Sequence, residues 1–183
     1  PPVFLIGAQR SGSTLLRVML NSHPEISFAR HGEIEAGLRL IERVDEVPAE
    51  LSGFYAALAV NYEFRESGMT IDHSLSLDQL LRDFWHQGAG EGVKTGHIGT
   101  VHKSFNRIPE VWPDARFIYL YRDGRDVARS HVKNGWAGNY WSGIPPWIES
   151  EEAWRKMKPS LDSDAYGEVR FEELVRYPKV ALM

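Results

Sequence analysis

The sequence predicts an α/β fold of the P-loop type, three layers deep, with a mostly parallel sheet flanked by helices. Three observations carry this. Short apolar runs alternate with longer segments whose apolar residues recur at helical spacing. The first run, Val3-Phe4-Leu5-Ile6, feeds directly into the glycine- and hydroxyl-rich stretch from Gly7 to Thr14, which opens a helical pattern. The second strong run, Ala115 to Tyr121, passes at once into a charged segment that also reads as helix.

Taken in order, Val3 to Ala8 is a continuous apolar run bounded by Pro and Gly, as expected of a strand buried on both faces. Ser13 to Ser22 follows as a helix, with Leu15, Leu16, Met19 and Leu20 on its apolar face, and Pro24 closes it. Ile26 to Ala29 is a short second strand. Gly32 to Val44 and Ala49 to Glu66 read as helices. Ser76-Leu77-Asp78-Gln79 is a capping-box pattern that starts a helix reaching about Gln87. Gly88 to Gly92 is a loop, and Val93 to Gly96 a short strand. After the strand ending at Tyr121, Asp123 to Lys133 is a helix stopped by Gly135. Asn134 to Trp147 is a loop rich in Gly, Pro and Trp. Glu151 to Lys158 is a helix, Gly167 to Phe171 the last strand, and Glu172 to Arg176 a helical turn.

At 183 residues the chain is long enough for one domain with a real core. Residues 1–183 are therefore read as a single domain, with both ends expected to be cut from a longer product. A hydrophobic share of 43% and a charged share of 25% are those of a globular protein. With a net charge of -4, general binding to nucleic acid or to an acidic membrane surface is disfavoured, and any anion must be held by a local cluster of Arg and Lys. The absence of Cys excludes disulfides, thiol nucleophiles and zinc thiolates. No apolar run reaches transmembrane length, and no signal peptide or Asn-x-Ser/Thr acceptor occurs. These features predict a cytoplasmic protein.

Gly7-Ala8-Gln9-Arg10-Ser11-Gly12-Ser13-Thr14 lies between strand and helix, the setting of a phosphate-binding loop. Its glycines allow a tight turn. Successive N–H groups and the helix start then converge on one concavity, and Ser11, Ser13 and Thr14 add hydroxyls. The spacing differs from G-x-x-x-x-G-K-[ST] at one place: Ser13 stands where nucleoside-triphosphate enzymes carry the Lys that reaches the β- and γ-phosphates. The cation is instead Arg10, inside the loop. That weakens the reading as a P-loop kinase or nucleotide hydrolase. A second cluster begins with Arg122, at the carboxyl end of a strand, where open α/β sheets bind ligands. Ser130 follows about two helical turns later. Two anion sites on one sheet edge call for a ligand with two separate anionic groups. One such ligand is 3′-phosphoadenosine 5′-phosphosulfate (PAPS).

These residues resemble the PAPS-dependent sulfotransferases. Phe4 to Leu16 is similar to the family's 5′-phosphosulfate loop, in the Arg-bearing form of protein-tyrosine and bacterial members. Trp112 to Asp123, with Arg122 and Ser130 in register, resembles the 3′-phosphate segment. Val93-Lys94-Thr95-Gly96-His97 resembles the Lys-Thr-Pro segment, with Gly96 for Pro. Val169 to Val175 resembles the late Tyr-Glu-x-Leu-Val strand, with Phe171 for Tyr. The four follow the family's order along almost the whole chain, while its C-terminal loop over the adenosine has no counterpart before Met183.

The resemblance implies in-line transfer of a sulfonate group from PAPS to an acceptor hydroxyl or amine, leaving adenosine 3′,5′-bisphosphate, with no metal. Arg10 and Lys94 would meet the leaving oxygen. Ser11, Gly12, Ser13 and Thr14 would cradle the 5′-phosphate, and Arg122 and Ser130 the 3′-phosphate. The general base falls in Arg30 to Glu35. Glu33 is the first choice, with Glu35, His31, His97 and His102 as alternatives. Residues 35–92 would form a helical segment on the acceptor side. Trp136, Tyr140, Trp141 and Trp147 would either stack on the acceptor or serve as core and hinge. The acceptor class stays open between carbohydrate, small molecule, lipid and peptide.

Overall fold

The computed structural model describes residues 1–30, 32–40, 47–89 and 96–181. Five strands form one sheet in the order β2-β3-β1-β4-β5: β1 (Val3–Ile6), β2 (Ile26–Arg30), β3 (Gly96–Val101), β4 (Arg116–Tyr121) and β5 (Tyr166–Arg170). Every pairing is parallel. β1 is central, with Ile6 opposite Val101 of β3 and Tyr119 of β4. From β1 the chain leads through α1 (Ser13–Asn21) to β2 on one side, and from β4 through α7 (Gly124–Lys133) to β5 on the other. The connections diverge at the carboxyl ends of β1 and β4, so the switch point of the sheet lies there. Both basic motifs open on it.

The strand period of two sorts the apolar residues into two layers. Phe4 and Ile6 of β1, with Phe117 and Tyr119 of β4, join a cluster that includes Ile34 and Leu38 of α2 (Gly32–Leu40). The same cluster takes Phe54 of α3 (Val47–Val60), Phe64 of α4 (Tyr62–Ser67), Leu81 of α5 (Leu77–Ala89) and Ile108 of α6 (Ile108–Val111). Leu5 and Leu120 face the other way, onto Leu16 of α1 and Leu174 of α10 (Phe171–Arg176). Phe4 is fully buried, with ring centroids 4.6 Å from Trp85 and 5.2 Å from Trp112. Burial of such a side chain contributes about 1.5–3 kcal/mol, so the strand that leads into the loop is held firmly.

The structure departs from the sequence reading in four places. The third strand runs over Gly96–Val101, past the expected end at Gly96, because the β-branched residues Ile98, Thr100 and Val101 enter the sheet, while Val93 to Thr95 of the expected strand lie outside the described residues. The helix expected over Ala49 to Glu66 is broken at Asn61, whose side chain accepts from the Phe64 N–H at 2.9 Å and caps α4. The Trp-rich loop contains α8 (Tyr140–Gly143), closed by a reciprocal Asn139–Ser142 capping box. The following helix, α9 (Pro145–Met157), starts six residues earlier than expected, with prolines in its first turn, where a missing N–H costs nothing.

Candidate active site

The loop after β1 is shaped by two glycines that nothing else could replace. Gly7 has φ 140°, and a Cβ there would lie 2.2 Å from the Leu120 carbonyl oxygen of β4. Gly12 has φ 105°, and its Cβ would lie 2.2 Å from the Phe171 ring. Arg10 also adopts the left-handed region, at φ 73°, which costs a side-chain-bearing residue about 1–2 kcal/mol. The loop is closed by the Ser11 N–H donating to the Ala8 carbonyl (3.2 Å) and by Arg122 Nη1 donating to the Arg10 carbonyl (3.2 Å). α1 begins without a side-chain cap and with no acid in its first turn, so its exposed N–H groups and dipole favour an anion.

Arg122 follows the last residue of β4. Its guanidinium lies 4.3 Å over the Phe171 ring and 3.9 Å from the Asp126 carboxylate. Its backbone is fixed as well, since Trp147 Nε1 donates to the Arg122 carbonyl at 3.0 Å. Trp147 is therefore a structural residue of this edge. Asp123 starts α7 by accepting from the Arg125 N–H, and hydrogen bonds from Arg125 hold its carboxyl well below the usual range. Ser130, two turns on, accepts from Arg10 Nε at 2.9 Å. Arg10 also lies 5.2 Å from the centre of the Trp136 ring. The two basic motifs thus meet: Arg10 touches Ser130 by its side chain and Arg122 by its carbonyl.

The opposite wall comes from the end of β3. His102 Nδ1 lies 2.9 Å from the Gly7 carbonyl oxygen, which can only accept, so Nδ1 carries the proton in that contact. In the neutral ring the Nε2 lone pair then faces Ser13 Oγ, 3.4 Å away. The His102 N–H donates to Glu35 Oε2 at 2.8 Å, which ties α2 to the loop. Glu33, at the start of α2, is 8% exposed. His97 pairs with Ser27 in the amino-terminal half of β3. Five residues of strand, about 16 Å, separate it from His102, which removes its backbone from the loop edge. Lys94 and His31 lie outside the described residues.

Two concavities flank the start of α1. One, of about 480 Å³, is lined by Arg122, Ser130, Phe171, Leu15 and Val18 together with Arg10, Gly12, Ser13 and Thr14. The other, of about 280 Å³, is lined by Gln9, Arg17, Thr100, His102 and Trp136, again with Arg10, Ser13 and Thr14. Arg10, Ser13 and Thr14 are common to both. The arrangement can hold an extended ligand with two anionic groups on the β4 side and present its near end to a second molecule on the β3 side. Among the described residues, no cluster of three or more His, Asp or Glu side chains could hold a metal ion. Sequence reasoning missed Gln9, Arg17 and Thr100. Arg17 was legible only as the residue one turn after Ser13, and Thr100 only once the register of β3 is known.

Residues 1–182 match the sequence profile of the sulfotransferase family. The protein-tyrosine sulfotransferase of Drosophila melanogaster is 22% identical over 187 residues, spanning 98% of this chain and 36% of that protein. Protein-tyrosine sulfotransferase 2 of Gallus gallus is 26% identical over 201 residues, spanning 100% of this chain and 49% of that protein. The chain thus spans between about a third and a half of the curated relatives it matches. The sulfotransferase domain from the curacin biosynthetic pathway superposes with a TM-score of 0.64 at 20% identity, covering 100% of this chain and 71% of that one. That of the Synechococcus PCC 7002 olefin synthase gives 0.64 at 20% identity, covering 100% and 70%. These superpositions establish a shared fold.

Proposed function

Since the chain belongs to the sulfotransferase family, we propose that it transfers a sulfonate group from PAPS to an acceptor hydroxyl or amine. The observation that carries this is the junction at Arg10, Ser13 and Thr14, common to the two concavities. PAPS lies in the larger one. Its 3′-phosphate meets Arg122 and Ser130, and its adenosine lies against Leu15, Val18 and Phe171. Its 5′-phosphate rests on Ser11, Gly12, Ser13 and Thr14. The sulfonate sits at the junction, facing the smaller cavity, which takes the acceptor. Ser13 in place of the P-loop lysine supports this reading over ATP chemistry.

The acceptor oxygen attacks sulfur in line. The bond from sulfur to the bridging oxygen breaks, and its electron pair leaves on the 5′-phosphate of adenosine 3′,5′-bisphosphate. Arg10 stabilises that charge, a role shared by Lys94 through the family resemblance. Charge neutralisation by these cations needs no metal. The acceptor proton goes to Glu33 on the strength of the resemblance alone, which places it after the first helix and its turn; Glu33 does not itself line the smaller cavity. His102 is the second reading for the base, favoured by one observation: its Nε2 lone pair faces Ser13 in the wall of the acceptor cavity. Residues 35–92 carry the acceptor-side helices of a single domain over 1–183. Among the described residues no helix is long and apolar enough to cross a membrane, and the reading places the enzyme in a bacterial cytoplasm. Thermal unfolding tests the donor assignment. Adenosine 3′,5′-bisphosphate should stabilise the chain more than ATP with Mg²⁺, and the reverse order would overturn it.

A further inference from the structure

The smaller cavity contains a cation that the donor does not use. Arg17 is half-buried in its wall, and makes no ion pair or side-chain hydrogen bond among the described residues. It does not line the groove that holds Arg122 and Ser130. It stands one helical turn beyond Ser13, a rise of about 6 Å from the junction. Thr100 belongs to the same wall. Thr100, at the end of β3, is 8% exposed and lines the cavity, yet its buried Oγ1 has no hydrogen-bond partner. No acidic side chain among the described residues lines this cavity, and the positive end of α1 opens on it. Trp136 adds a flat aromatic wall.

We propose that Arg17 is a specificity-determining residue, and that the acceptor carries an anionic group about one helical turn from the hydroxyl that is sulfonated. Arg17 receives that group as an ion pair in the wall of the smaller cavity. The two anionic ends of PAPS are already met by the loop and by Arg122 with Ser130, so this anion is a third, belonging to the other substrate. A guanidinium, with its planar fork of donors, suits a carboxylate, sulfate or phosphate group. The proposal rests on the sulfonate-transfer reading and names the substrate class of its acceptor side.

The test is a two-step calorimetric titration of the chain. Adenosine 3′,5′-bisphosphate is added to saturation first. Then 4-hydroxybenzoate and its neutral analogue 4-hydroxybenzamide are titrated separately. The benzoate should bind at least tenfold more tightly than the amide. In Arg17→Gln that ratio should fall to near one, and Arg17→Lys should recover part of it, with bisphosphate affinity as the check that each variant is folded. Equal affinity for the two probes, binding of neither, or an unchanged ratio in Arg17→Gln would overturn the proposal. Absence of bisphosphate binding in the first step would instead overturn the donor assignment, so the two failures are distinguishable.

Discussion

Replacing Arg122 by Ala should remove the preference for a 3′-phosphate while leaving part of the affinity for a 5′-phosphate. In the structure the Arg122 guanidinium is held in place by Phe171, Asp126 and the Arg10 carbonyl, 4.3, 3.9 and 3.2 Å away. A charge-assisted hydrogen bond from such a fixed group contributes about 1.5–3 kcal/mol. At 1.4 kcal/mol per decade, its loss weakens binding by roughly 10- to 150-fold. The substitution also frees the Arg10 carbonyl and loosens the loop, which weakens every nucleotide that has a 5′-phosphate. Comparing two ligands separates the effects. The affinities of adenosine 3′,5′-bisphosphate and adenosine 5′-monophosphate are measured by calorimetry for both proteins. Loosening of the loop lowers both, and loss of the 3′-phosphate contact lowers only the first. The account predicts that the ratio of the two affinities falls at least tenfold. If both ligands weaken by the same factor, Arg122 only props the loop and the second anion site does not exist.

Glu33→Gln should lower kcat by about 10²- to 10⁴-fold with bisphosphate affinity retained. His102→Gln should weaken bisphosphate binding as well, because it removes the hydrogen bond to the Gly7 carbonyl. Retained turnover in Glu33→Gln, with the acid limb of the pH–rate profile abolished in His102→Gln, would transfer the base to His102. In chemical denaturation, stability should decline as pH falls through the carboxylate range. Burial pushes the Glu168 carboxyl up, but the hydrogen bonds from Lys158 and Trp154 together hold it below its ordinary value. A carboxylate lowered in the folded state stabilises in full above its unfolded pKa and loses that contribution as pH falls through the folded one. Glu168→Gln should therefore flatten the acid side of the stability profile, and an unchanged slope would contradict the assignment.

The features written in local residue types were legible in the sequence. A strand, a Gly-Ser-Thr loop and a helix are neighbours along the chain, so Gly7 to Thr14 and its Arg10 were readable directly. Arg122 and Ser130 were readable for the same reason, being a strand end and a helix position eight residues apart. What could not be read depends on register and on distant packing. The end of β3 was misplaced because Gly96 to Val101 contains two glycines and a histidine, which blur the strand pattern. Of the two histidines named as alternative bases, His97 falls in the amino-terminal half of β3, while His102 occupies the loop edge. The contact between Arg10 and Ser130, 120 residues apart, has no trace in either segment alone. The same holds for Gly12. A glycine there reads as loop flexibility, and only the fold shows that the Phe171 ring from the far end of the chain fills the place of its side chain.

On the proposed reading, Arg10 stands where a sulfonate passes from PAPS to a second molecule. Transfer of radiolabel from [³⁵S]PAPS to a panel of phenols, sugars, lipids and peptides, with EDTA present, tests it most directly. Labelled acceptor should appear with one adenosine 3′,5′-bisphosphate released per transfer, and that transfer should be lost in Arg10→Ala. Transfer that persists undiminished in Arg10→Ala, or bound PAPS that labels no acceptor in the panel, would contradict it.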